Sequence, residues 1–222
     1  LLGARTIEQA VALACSWKTT SAWTVVLTSW RQRLACAVEL TPSRSCVTYA
    51  RDGRFARTND YLEPSLRNTE IDYTAWRENS RARQRRADQL LEQSKGAVDA
   101  ARLAALLRDH TDEPSGLERA MGQTIAAPSN MTSVIFDPEA GVVWAAQGPA
   151  PVCEGVYRKV ALWQQGGLGP ELAGVGEGLS MPRRRGYAHY IAALQAWEQH
   201  RDEAGCGARL AEAVAGDPTE PV

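Results

Sequence analysis

Residues Trp23–Leu40, WTVVLTSWRQRLACAVEL, decide the fold. Trp23 to Ser29 and Leu34 to Leu40 are β-branched and apolar runs joined by Trp30-Arg31-Gln32-Arg33, the pattern of a β-hairpin. Upstream, Thr6-Ile7-Glu8-Gln9 is a capping box in which the Thr6 hydroxyl can accept from the Gln9 N–H and the Gln9 amide can reach back to the Thr6 N–H. A helix should follow to about Trp17, with Ile7, Ala10, Val11 and Ala14 on one face. Downstream, Cys46–Ala50 and Arg54–Thr58 predict shorter strands around Asp52-Gly53. The first 60 residues therefore read as one helix and several antiparallel strands.

The remainder repeats that division. Thr74 to Ser94 is helical, and Arg83 shares a face with Ala87, Leu90 and Leu91. Asp99 can cap a second helix whose Leu103, Leu106, Leu107 and His110 fall at helical spacing. These two neighbouring helices are expected to cover one sheet face. Thr132–Phe136 and Val142–Ala146 flank Asp137-Pro138-Glu139-Ala140-Gly141, a second hairpin signal, and Val156–Leu162 predicts another strand. Residues 164–186 carry seven glycines, two prolines and Arg183-Arg184-Arg185, and are expected to form a loop. Tyr187, Tyr190, Ile191, Leu194 and Trp197 then make a helical stripe, and a weaker helix is expected from Ala208 to Val214. Helices segregated from antiparallel strands, with no internal repeat, indicate an α+β fold.

With 222 residues, 44% hydrophobic, the chain is long enough to bury a core as one domain or at most two small ones, and a single domain over 1–222 is expected. A formal net charge of −1 gives no overall field for nucleic acid or an anionic membrane. No run approaches the roughly 18 apolar residues of a membrane helix. Five cysteines without a C-x-x-C pair, and no histidine at metal-ligand spacing, indicate neither a disulfide framework nor a metal site, and a reducing, cytoplasmic compartment is expected. No Walker loop, G-x-G-x-x-G or G-x-S-x-G is present, so no nucleotide cofactor or serine triad follows.

Two polar clusters can carry chemistry. Arg57-Thr58-Asn59-Asp60-Tyr61 follows a predicted strand, where the Asn59 amide could stabilise a developing oxyanion or, alternatively, close an Asx-turn on its own backbone. Asn79-Ser80-Arg81-Ala82-Arg83 lies on the long helix, and an arginine aligned with an apolar stripe is costly unless it is paired or functional. The other arginines of this helix fit a solvated face.

The order of these pieces resembles the acyl-coenzyme A:6-aminopenicillanic acid acyltransferase family, a branch of the N-terminal-nucleophile (Ntn) hydrolases. The matching segments are Thr6-Ile7-Glu8-Gln9-Ala10, Arg57–Tyr61, Asn79–Arg83, Leu106-Leu107-Arg108-Asp109-His110, Thr132–Asp137 and Trp144-Ala145-Ala146-Gln147-Gly148-Pro149.

The resemblance implies an αββα sandwich of antiparallel sheets and covering helices, in which a precursor cleaves itself to expose an N-terminal cysteine. That thiol attacks an amide or thioester, with its own α-amino group as base. By position, Asn59 matches the oxyanion-hole asparagine and Arg83 the arginine near the nucleophile, with Arg81 the alternative in register. Asp60, Tyr61 and Arg81 are then substrate-binding candidates, Asp60 standing where relatives often carry histidine. No cofactor is implied. The nucleophile would lie upstream of Leu1, so the missing N-terminal segment or a second chain is the expected partner, together with a small amide or acyl-thioester substrate. The contrasting expectation is a non-catalytic binding module that uses the arginine-rich helix.

Overall fold

The computed structural model of the chain describes residues 3–67, 73–96, 98–162 and 167–218. Two compact units emerge: Leu1–Lys95 with Pro138–Ala140, and Gly96–Asp137 with Gly141–Val222.

In the first unit, α1 (Ile7–Cys15) starts where the capping box places it, the Thr6 hydroxyl accepting the Gln9 N–H at 3.3 Å. The return bond differs, because Gln9 Oε1 takes the Arg5 N–H at 2.9 Å rather than that of Thr6. Strands β1 (Trp23–Ser29), β2 (Leu34–Leu40) and β3 (Ser45–Tyr49) form an antiparallel sheet in that order. Leu27 faces Cys36 across the ladder, and Val38 faces Val47. Ile7 and Ala14 of α1 close over Leu27, Cys36, Val38 and Leu40 to make the core.

The strand expected at Arg54–Thr58 does not form. A single bridge joins Arg51 and Arg54 across Asp52 and Gly53, both at positive φ, and the chain then runs irregularly. Side chains replace the ladder here: the Ala56 carbonyl accepts from Gln84 Nε2 at 3.1 Å and from Arg57 Nη1 at 2.8 Å. The short α2 (Pro64–Arg67) precedes the long α3 (Thr74–Gln93). Burial on α3 is centred on Ser80, Ala82, Gln84 and Ala87, whereas Arg83, Leu90 and Leu91 are only half-buried. The inward stripe is thus more polar than the leucines suggested.

In the second unit, Asp99 accepts the Arg102 N–H at 2.7 Å and caps α4 (Ala100–Leu107). Strands β4 (Val134–Asp137), β5 (Val142–Gln147) and β6 (Val156–Ala161) form a second antiparallel sheet in that order. Ala104 of α4 packs with Ile135 and Tyr157, flanked by Leu103, Leu107 and Trp144. The expectation that two neighbouring helices share one sheet is therefore corrected: α1 covers the first sheet and α4 the second. A 3-10 turn at Val152–Glu154 separates β5 from β6.

The glycine-rich segment ends earlier than expected. Residues 164–166 lie outside the described residues, and α5 (Met181–His200) already contains Arg183-Arg184-Arg185. Pro182 in the first turn pre-sets helical φ, and the arginines are held by carboxylates: Arg183 by Asp217 at 2.6 Å and Arg184 by Glu154 at 2.6 Å. α6 (Glu203–Gly216) is longer than the sequence suggested, because the Asp202 side chain caps it through the Gly205 N–H. The two helices approach closely at Gly186, where a Cβ would lie 3.2 Å from the Ala213 carbonyl oxygen. Among the described residues, no helix is long and apolar enough to cross a membrane. The architecture is α+β, with two three-stranded antiparallel sheets and covering helices.

Candidate active site

The first unit brings Asn59 and Arg83 together from segments 24 residues apart. Thr58 and Ser80 fasten the segments to each other: the Thr58 hydroxyl donates to the Ser80 carbonyl at 2.9 Å, and the Ser80 hydroxyl donates to Thr58 Oγ1 at 3.0 Å. One turn further along α3, Arg83 Nε donates to Asn79 Oδ1 at 2.8 Å and Arg83 Nη2 to Asn59 Oδ1 at 2.9 Å. A guanidinium can only donate, so the Asn59 atom facing it must be the amide oxygen. That fixes the orientation of the amide and leaves its NH2 with no acceptor among the described residues.

Arg83 has no carboxylate partner among the described residues, and burial presses its pKa below the ordinary arginine value. Arginine starts high enough to remain charged at neutral pH. A half-buried cation without a counter-ion, gripping an amide whose donors are unfilled, generates a positive field that suits a developing anion.

The neighbouring candidates have different tasks. Arg81 Nε donates to the buried Asp60 carboxylate at 3.0 Å, with Arg81 itself half-exposed. Tyr61 is buried, and its hydroxyl donates to the Leu40 carbonyl. Asn59, Asp60 and Tyr61 line one cleft of about 650 Å³ with Thr41, Tyr73 and Trp76. Trp76 is 75% exposed and packs at a tilt against Tyr73 with ring centroids 5.1 Å apart, an apolar rim for the cleft.

Sequence reasoning missed the support beneath this arrangement. Glu39 of β2 is 1% exposed, and its carboxylate accepts the N–H groups of Leu62 at 2.9 Å and Glu63 at 3.0 Å. Arg57 lies 3.9 Å from the same carboxylate, stacked over Phe55, with its Nε buried and without a hydrogen-bond acceptor. The signal for Glu39 was a lone acid inside an apolar strand. For α3 it was the spacing of Ser80, Gln84 and Ala87.

A family model for acyl-coenzyme A:6-aminopenicillanic acid acyl-transferase matches residues 1–149. The chain belongs to this acyltransferase family. Searches of curated proteins and of solved structures return no match. The family match spans every residue that lines the cleft, from Thr20 to Arg77, together with Arg81 and Arg83.

None of the cleft-lining residues is a cysteine. All five cysteines are free; Cys36 and Cys153 are buried, and burial pushes the Cys153 thiol up to about 11. A thiol raised in this way is a poor nucleophile at neutral pH.

Proposed function

We propose that this chain supplies the oxyanion-stabilising half of an autoprocessed, cysteine-dependent amidase or acyltransferase of the Ntn type, its two sheets belonging to an αββα sandwich. The hydrogen bond from Arg83 to Asn59 carries this reading, because it leaves the Asn59 NH2 ready to donate in the cleft. In the reaction, a cysteine thiolate from outside these 222 residues attacks the carbonyl carbon of an amide or thioester. The carbonyl oxygen becomes an oxyanion and accepts from Asn59 Nδ2, with Arg83 reinforcing the field. Collapse breaks the C–N or C–S bond, the leaving amine or thiol takes the thiol proton that the nucleophile's own α-amino group had accepted, and an acyl-enzyme remains. Water or an amine then accepts the acyl group through a second oxyanion at the same donor. Asp60, tethered by Arg81, and Tyr61 shape the cleft wall against which the substrate lies.

The test is Asn59→Ala in the full-length protein, assayed with an acyl thioester. Loss of one oxyanion donor should lower kcat by roughly 10²-fold or more. A folded variant with unchanged kcat would refute the role and return the chain to the binding-module reading.

A further inference from the structure

The second unit holds a charged cluster that the acyl-transfer reading does not use. His110 is buried, with Nδ1 facing the Arg119 carbonyl oxygen at 3.1 Å and Nε2 facing Glu154 Oε1 at 2.6 Å. Glu154 is an ionised acceptor: it also takes the Leu179 N–H at 2.9 Å and Arg184 Nη1 at 2.6 Å. Arg108 adds a further cation whose partners are the carbonyl oxygens of Cys153, Glu154, Gly155 and Gly176, at 2.6 to 3.1 Å. Two arginines, Arg108 and Arg184, thus share this cluster with one carboxylate. Nearby, Asp112 lies 3.5 Å from Arg119, and Glu118 and Asp217 lie 3.1 and 2.6 Å from Arg183, so those two arginines are already matched by carboxylates.

A cleft of about 260 Å³ opens beside this cluster, lined by His110, Glu154, Arg184 and Tyr187 on its polar side and by Pro128, Pro149, Pro151 and Leu179 on its apolar side. Two donors in its lining are unfilled. Arg184 directs Nε to the Leu179 carbonyl at 2.6 Å and Nη1 to Glu154, which leaves Nη2 without an acceptor among the described residues. The Tyr187 hydroxyl likewise has none. Gly178 makes room for the guanidinium, since a Cβ there would come within 2.8 Å of Arg184 Nη2.

We propose that this cleft binds a small organic carboxylate, its anionic end taken by Arg184 and Tyr187 and its apolar body laid against the three prolines. The unfilled guanidinium donor of Arg184, with the Tyr187 hydroxyl beside it, favours an anion over a neutral molecule. Two donors suit a carboxylate, and the volume falls below the roughly 300–1,000 Å³ of drug-sized sites, so the occupant is an acid of about one ring. This site stands independently of the Asn59 reading.

The experiment is calorimetric titration of the full chain with sodium benzoate, with benzamide as the neutral isostere and inorganic phosphate as the bare anion. Benzoate should bind at one site, at least tenfold more tightly than benzamide and more tightly than phosphate. Arg184→Gln should weaken it at least tenfold and Tyr187→Phe several-fold. If Arg184→Gln fails to fold, the Tyr187→Phe variant and the benzamide comparison decide alone. No benzoate binding, benzamide binding equally well, phosphate binding in preference, or binding unchanged in both variants would each overturn the proposal.

Discussion

Arg83 and Asn59 form the chemical unit of the proposed oxyanion site, and its geometry makes sharp demands on single atoms. Arg83 bridges two amide oxygens with Nε and Nη2. A lysine keeps the charge but presents no planar fork. Arg83→Lys should therefore reduce kcat by about tenfold or more while KM changes little, because the lost order bears on the transition state rather than on substrate binding. Steady-state kinetics of the folded variant checks this split; a rise in KM alone would make Arg83 a substrate-binding residue. Beneath it, Glu39 neutralises two backbone N–H groups and faces Arg57. Glu39→Leu leaves those donors and a buried cation uncompensated, and should lower stability by about 3 kcal/mol in denaturant titration. A change below about 0.5 kcal/mol, the size typical of surface substitutions, would show that the turn at 62–63 holds without it.

At the scale of elements, patterns that act along one segment were legible and those that depend on a distant partner were not. The hairpin of Trp23–Ser29 and Leu34–Leu40 and the cap at Asp99 are written in adjacent residues, and both form as read. Asn59 and Arg83 were each legible as site candidates, but the bond between them spans 24 positions and needed the fold. Arg54–Thr58 has strand-like residues yet finds no ladder, since α3 side chains fill that place. By its sequence Gly186 belongs to a glycine-rich loop, whereas the structure places it inside α5 at the close approach to α6. A mid-helix glycine costs about 1 kcal/mol against alanine, so its presence fits the need for contact. Gly186→Val should destabilise the chain by about 1–3 kcal/mol through overpacking, read as a lowered melting temperature. An unchanged or raised melting temperature would mean that the helix pair can separate to accept the side chain.

For the whole molecule, near-neutral composition hides strong local charge, and stability should follow pH accordingly. Burial alone would raise the carboxyl of Glu154, but hydrogen bonds from His110 and the Leu179 N–H, with the charges of His110 and Arg184, hold it below its ordinary value of 4.5. A depressed native pKa gives stabilisation that is full above the unfolded value and lost as pH falls through the native one. The melting temperature should thus drop more steeply below pH 4.5 in the wild type than in Glu154→Gln. Parallel curves would show that the cluster contributes nothing to acid stability. The α+β class was legible from the segregation of helices and strands, and the family from the order of short motifs. The division into two compact units was not, since it depends on contacts that no local pattern records.

In the proposed function, acyl transfer runs through a cysteine that completes the Asn59–Arg83 site. The most direct test is intact-mass analysis, with N-terminal sequencing, of the protein expressed from its full natural reading frame and incubated with an acyl thioester. The expected result is a processed chain beginning with cysteine and carrying a covalent acyl group. An unprocessed chain that gains no mass would contradict it.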